Sequence, residues 1–125
     1  NADTFTLQDN NGPDGGVLAT ADDAATFLDA VFASDGALAD IGRSMLSDKI
    51  DRGNGRYRAL GPTYVDHESG LTLVTHSGYI DGYVTTVVRV LAPDITVIVH
   101  LNCSEPQLAG TLARDLLFML AAGGE

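Results

Sequence analysis

Apolar residues recur at helical spacing in the first third of the chain, shorten to strand-like spacing in the middle, and return to helical spacing at the end. Ala24, Phe27, Leu28, Val31 and Phe32 fall three or four residues apart and predict a helix over 21–33 with one apolar face. Thr20, followed by Ala21-Asp22-Asp23, supplies an N-cap and then acids where the helix dipole favours them. Ser34-Asp35-Gly36 stops that helix, and Leu38, Ile41, Met45 and Leu46 predict a second over 37–48. Beyond a Gly-rich connection at 51–56, a strand over 56–66 is broken at Gly61-Pro62, because proline has no N–H for a central ladder. His67-Glu68-Ser69-Gly70 is turn chemistry, and 71–76 is a short strand. Residues 84–91 and 95–101, joined by Ala92-Pro93-Asp94, form a hairpin apolar enough to be covered on at least one face. Glu105-Pro106 opens a last helix whose core face is Leu108, Leu112, Leu116, Leu117 and Leu120, and Gly123-Gly124 closes it. The expected class is therefore α/β of the α+β type. An antiparallel sheet of three to four strands packs against two N-terminal helices and one C-terminal helix.

Composition narrows the function classes. A chain of 125 residues with 45% apolar content has the length of one domain and can bury a core. Residues 1–16 are polar and rich in turn formers and read as a loop or severed linker, with the domain proper over 17–125. Because the chain starts at Asn1 without a Met, it is expected to be a processed or excised piece. The formal charge of −10 offers no basic face to displace counterions from phosphates, which argues against a nucleic-acid partner. No run approaches the roughly 20 apolar residues of a membrane span, and no basic-then-apolar segment marks a signal peptide. The single cysteine, Cys103, excludes an internal disulfide framework and a four-cysteine zinc site; at the end of an apolar run it is expected to be a small buried thiol.

The segment Thr75-His76-Ser77-Gly78-Tyr79-Ile80-Asp81-Gly82-Tyr83 concentrates the residue types that process or recognise substrates. His67, His76 and His100 lack the i, i+4 spacing of a helical metal pair, so no metal is expected. His100 is expected to be a hydrogen-bonded core or sheet residue, and His67 a solvated turn residue. Ser77 directly follows His76, so on a strand their side chains point to opposite faces and neither serves as general base for the other. Gly78 and Gly82 mark an edge or rim where backbone comes close to something. The residues alone leave a functional cluster and a tight turn equally open.

A longer pattern resembles the β-lactamase-like serine hydrolases, which include class C β-lactamases, D-alanyl-D-alanine carboxypeptidases (penicillin-binding proteins) and related esterases. Gly15-Gly16-Val17-Leu18-Ala19-Thr20-Ala21-Asp22-Asp23 is similar to that family's Gly-Gly lead-in to a helix. His76-Ser77-Gly78 is similar to its third catalytic motif, K-T-G or H-x-G, on the innermost strand. Gly82-Tyr83 resembles the start of the next strand, Pro93-Asp94 its hairpin turn, and Leu101-Asn102 a one-residue-shorter form of the L-x-N strand end. The likeness runs over roughly 12–121. The family's nucleophile lies in S-x-x-K, yet no serine here has Lys three positions later, and no Tyr-x-Asn or Ser-x-Asn occurs.

The resemblance therefore implies the C-terminal part of such a hydrolase, within a β-lactamase/transpeptidase-like fold. Its partner would be an N-terminal portion carrying S-x-x-K, and this chain alone would have no acylation chemistry. In the complete enzyme a Ser would attack an amide, lactam or ester carbonyl of a small-molecule or peptide substrate, and water would release the product. His76, Ser77 and Gly78 would form the catalytic strand, with His76 in the position usually held by Lys. There it would orient a substrate carboxylate or support the second-motif hydroxyl, more weakly than Lys because imidazole is mostly uncharged at neutral pH. The Tyr79 N–H would be an oxyanion donor, and Gly82 and Tyr83 would contact substrate. No cofactor is implied, an extracytoplasmic location is, and His in place of Lys tilts the expectation towards an esterase or peptidase. The alternative is a non-catalytic binding or assembly module of the same fold.

Overall fold

The computed structural model describes Gly15 and residues 17–122. The rest of the expected linker at 1–16, and the closing Gly123-Gly124, lie outside the described residues. Two helices, α1 (Ala21–Phe32) and α2 (Ala39–Ser47), precede six strands: β1 (Ile50–Asp51), β2 (Arg56–Arg58), β3 (Thr63–Asp66), β4 (Thr72–Ile80), β5 (Tyr83–Val90) and β6 (Ile95–Leu101). Helix α3 (Pro106–Ala122) follows. The class is α+β. Among the described residues the strands form one antiparallel meander in sequence order, six and not the three or four expected. The undercount has two sources. The break at Gly61-Pro62 splits the 56–66 segment into β2 and β3, and the two-residue β1 is too short to carry a period. Strand β4 also runs four residues past the expected end at His76, carrying Ser77, Gly78, Tyr79 and Ile80 into the ladder with β5.

Cross-strand partners share a face, so the register divides the sheet into two surfaces. On one lie Leu73, Val84, Val88, Val90, Ile95, Val97, Val99 and Leu101, and α3 covers it with Ala109, Ala113 and Leu117. On the other lie Val74, His76, Val87, Arg89, Thr96 and Ile98, with α1 packed over β6. Arg89 is buried at 3% exposure among Asp29 of α1, Thr96 of β6 and Asp94 of the β5–β6 turn, at 2.6–2.7 Å.

Two expected core faces need correction. Of the five leucines assigned inward on α3, only Leu117 is buried; Leu108, Leu112, Leu116 and Leu120 form an exposed i, i+4 stripe. The buried side is built on Ala109 and Ala113, whose small side chains let the helix approach the sheet closely. A period identifies an apolar face but does not choose between two of them. Phe27, expected inward on α1, is likewise exposed at 60%. Cys103 is half-buried where a buried thiol was expected.

The start of α1 is a capping box. The Asp23 N–H donates to the Thr20 hydroxyl at 3.1 Å, and the Thr20 N–H and hydroxyl donate to the Asp23 carboxylate at 3.1 and 2.7 Å. These hydrogen bonds hold the Asp23 carboxyl below its ordinary titration range. Thr20→Ala is expected to destabilise the chain by about 1 kcal/mol at neutral pH. A carboxyl whose pKa is lowered on folding stabilises above its unfolded pKa and loses that contribution as pH falls through the folded value. The gap between wild type and Thr20→Ala in urea midpoints should therefore be full at pH 7 and narrow below the ordinary Asp range. A gap that widens in acid would contradict the capping role.

Candidate functional site at the open end of strand 4

The residues singled out in sequence come together along the second half of β4 and the turn that follows it. Here β4 outruns its neighbour. Strand β3 ends opposite Thr75, whereas β5 stays paired through Ile80, so among the described residues 76–80 have a neighbouring strand on one side only. Two turn hydrogen bonds fix which backbone groups face the open side. The Leu91 N–H donates to the Thr72 carbonyl at 3.0 Å, so even-numbered β4 residues point their backbone groups at β5. The His67 N–H donates to the Leu71 carbonyl at 2.9 Å, so odd-numbered ones point at β3. The register with β5 is unbroken from Leu73 to Ile80, and the alternation carries through. The N–H and C=O of Ser77 and Tyr79 therefore lie on the open edge, about 7 Å apart along the strand.

Side chains alternate at right angles to these groups. His76 and Gly78 are on the α1 face, while Ser77 and Tyr79 are on the α3 face. His76 and Ser77 are both exposed, so their expected separation onto opposite faces holds, and neither is buried in the core. A Cβ built on Gly78 meets no atom within 4 Å, so the backbone there is open to an approaching group. The Tyr79 hydroxyl donates to Asp81 at 2.7 Å, turning the phenol along the hairpin and away from its own N–H. Gly82 takes φ +84°, which a side chain would resist, and its N–H donates to the Ser104 hydroxyl at 2.9 Å. This ties the β4–β5 turn to the segment after β6 and fixes the end of the open edge. Tyr83 follows on the His76 face, 58% exposed.

Sequence reasoning missed Thr85, and of the two places expected for His100, core or sheet, the structure has the sheet. Thr85 stands cross-strand from both Gly78 and His100, and its hydroxyl lies 2.8 Å from the His100 Nδ1. His100 is hydrogen-bonded as expected but exposed, on the same face as His76 and two strands away. The available signal was the alternation of β5, where Thr85 interrupts an apolar run. His67, expected to be solvated, is half-buried against the Phe118 ring at 5.7 Å and hydrogen-bonds Ser69. No group of three metal-ligating side chains forms among the described residues, and no helix there is long and apolar enough to cross a membrane.

The arrangement offers an extended ligand two backbone N–H groups and two carbonyls in strand geometry, an unobstructed glycine between them, and an imidazole on one flank. No protein-family model, no curated protein and no solved structure matches the chain.

Proposed function

We propose that this chain is the substrate-holding part of a β-lactamase-like serine hydrolase, with the nucleophilic Ser and its Lys on a segment outside residues 1–125. The end of β4, which has no strand on its second side among the described residues, carries this reading. In such an enzyme the substrate backbone lies antiparallel to this edge and is held as an added strand. The Tyr79 N–H then points at the developing oxyanion, a donor typically worth about 3–4 kcal/mol in the transition state. Gly78 keeps the approach clear. His76 meets the substrate carboxylate or the hydroxyl of the missing motif. The finer fold assignment, β-lactamase/transpeptidase-like, belongs to the same proposal, as does the extracytoplasmic location. The exposed leucine stripe on α3 supports a further packing partner, since contiguous apolar surface of that kind is uncommon on a monomer.

A fluorophosphonate or β-lactam probe should label the assembly of this chain with its S-x-x-K segment and leave the chain alone untouched. In that assembly His76→Ala should slow acylation at least about tenfold, roughly 1.4 kcal/mol. Labelling of the isolated chain, or unchanged acylation in the variant, would overturn the assignment. The same edge also suits a non-catalytic module that adds an extended partner strand. That reading predicts peptide binding at β4 with no labelling of any assembly.

A further inference from the structure

The chain is strongly acidic, yet four of its seven basic residues, Lys49, Arg52, Arg56 and Arg58, fall within ten positions. Lys49 is engaged: its Nζ lies 3.6 Å from the centroid of the Tyr64 ring and 5.6 Å from that of Tyr57. The three arginines are arranged differently. Arg52 extends the β1–β2 register, its N–H donating to the Arg56 carbonyl at 2.8 Å, so the two stand directly opposite each other. Arg58 lies two residues along β2 on the same face, with Thr63 of β3 opposite it. Asp51 and Asp66 belong to the other face, and the Asp51 carboxylate takes the Gly53 N–H at 2.7 Å. Asp66 and Glu68 share a neighbouring cleft with Arg56. Among the described residues, none of the three guanidiniums forms an ion pair, although Arg43, Arg89 and Arg114 all do. Like charges placed directly opposite on a sheet destabilise it. In so acidic a chain, three arginines on one short hairpin with no ion pair among the described residues are a specific arrangement.

Arg52, Arg56, Tyr57, Arg58 and Thr63 line one cleft of about 390 Å3, ample for a small anionic group. We propose that this cleft is an oxyanion-binding site for a phosphate group, as a free ion or on a small phosphate ester. A carboxylate brings one charge and two acceptor oxygens, which a single arginine fork can saturate. Three forks and the Thr63 hydroxyl call for more oxygens and more charge, which a phosphate dianion supplies. A nucleic acid is disfavoured, because its neighbouring phosphates would meet the acidic surface around the patch. The site lies at the β1–β2 end of the sheet and does not depend on the hydrolase reading.

Titration of the full chain with inorganic phosphate, against sodium chloride at matched ionic strength, tests the proposal by amide chemical shifts and thermal midpoint. Saturable shifts clustered on residues 52–63 are expected, with Arg56→Gln and Arg58→Gln each weakening binding about tenfold or more. Arg56→Lys should also weaken it, because the charge remains but the fork is lost. Arg52→Gln should weaken binding and yet raise the phosphate-free midpoint by about 1–3 °C, as cross-strand repulsion is relieved. An ester arm, with glycerol 2-phosphate, should match or exceed the free ion if the ligand is an ester, and fall below it if the site takes the free ion. A response to phosphate no greater than to chloride would overturn the proposal, as would shifts spread over the surface. Succinate binding as tightly as phosphate, or a lower midpoint for Arg52→Gln, would overturn it equally.

Discussion

Asp29→Ala should destabilise the chain by about 2–3 kcal/mol, while Arg89→Met should change it by less than about 1.5 kcal/mol. The contrast follows from where the two ends of the pair sit. The Arg89 side chain is 4% exposed, but the carboxylates of Asp29 and Asp94 are more than half exposed. Removing Asp29 leaves a buried guanidinium with Thr96 and Asp94 as its remaining partners among the described residues, one carboxylate where there were two. Removing the guanidinium instead returns both carboxylates to water and eliminates the buried Arg89 Nε, which has no hydrogen-bond partner among the described residues. Methionine fills most of the vacated volume. Because Asp94 remains, Asp29→Ala falls at the low end of the usual 3–5 kcal/mol range or just below it. Urea midpoints at constant m-value read both changes. If Arg89→Met proves the more damaging substitution, the ion pairs are worth more than their desolvation and this account is wrong. The pair also matters to the candidate site. It joins α1 to β5 and β6, and so holds the helix over the sheet face that carries His76.

The positions of α1, α2 and the β5–β6 hairpin were legible in the sequence because their signals are local. A threonine cap with acids behind it, a helical apolar period, and two β-branched runs about a Pro-Asp turn each act within ten residues or so. The adjacency of His76 and Ser77 correctly separated them onto two faces, since alternation is a property of any strand. Other features were not legible because they arise between segments. That Ser77 and Tyr79 are the residues with open backbone groups depends on where β3 ends relative to β4, and no local pattern records it. The inversion of α3 depends on how close Ala109 and Ala113 allow the helix to come to the sheet. Arg89 reads as a polar interruption in an apolar strand until Asp29, sixty residues earlier, is brought against it.

Gly42→Ala should destabilise the chain by roughly 2–3 kcal/mol, although alanine is favoured over glycine in a helix by about 1 kcal/mol. Gly42 is buried in α2, and a Cβ there would drive into the Val31 carbonyl oxygen, with the Phe32 Cδ1 at 3.3 Å behind it. Both obstacles belong to the last turn of α1, which is pinned from the same side by the Leu38 N–H donating to the Ala30 carbonyl at 2.7 Å. Backbone cannot yield as a side-chain tip can, so the helices must separate. Gly110 in α3 supplies the control: a Cβ there meets nothing within 4 Å, and Gly110→Ala should stabilise by about 0.5–1 kcal/mol. The same propensity gain is thus expected with opposite net signs at two glycines, decided by the space around them. Thermal or urea unfolding of the two variants checks it, and stabilisation by Gly42→Ala would refute the close α1–α2 contact. The last turn of α1 is held by this contact at Val31 and Phe32 and by Asp29 on Arg89. If those are two anchors of one rigid unit, Gly42→Ala and Asp29→Ala will not add. Once either releases α1, losing the other should cost less, and the double variant should fall short of the sum by about 0.5 kcal/mol or more.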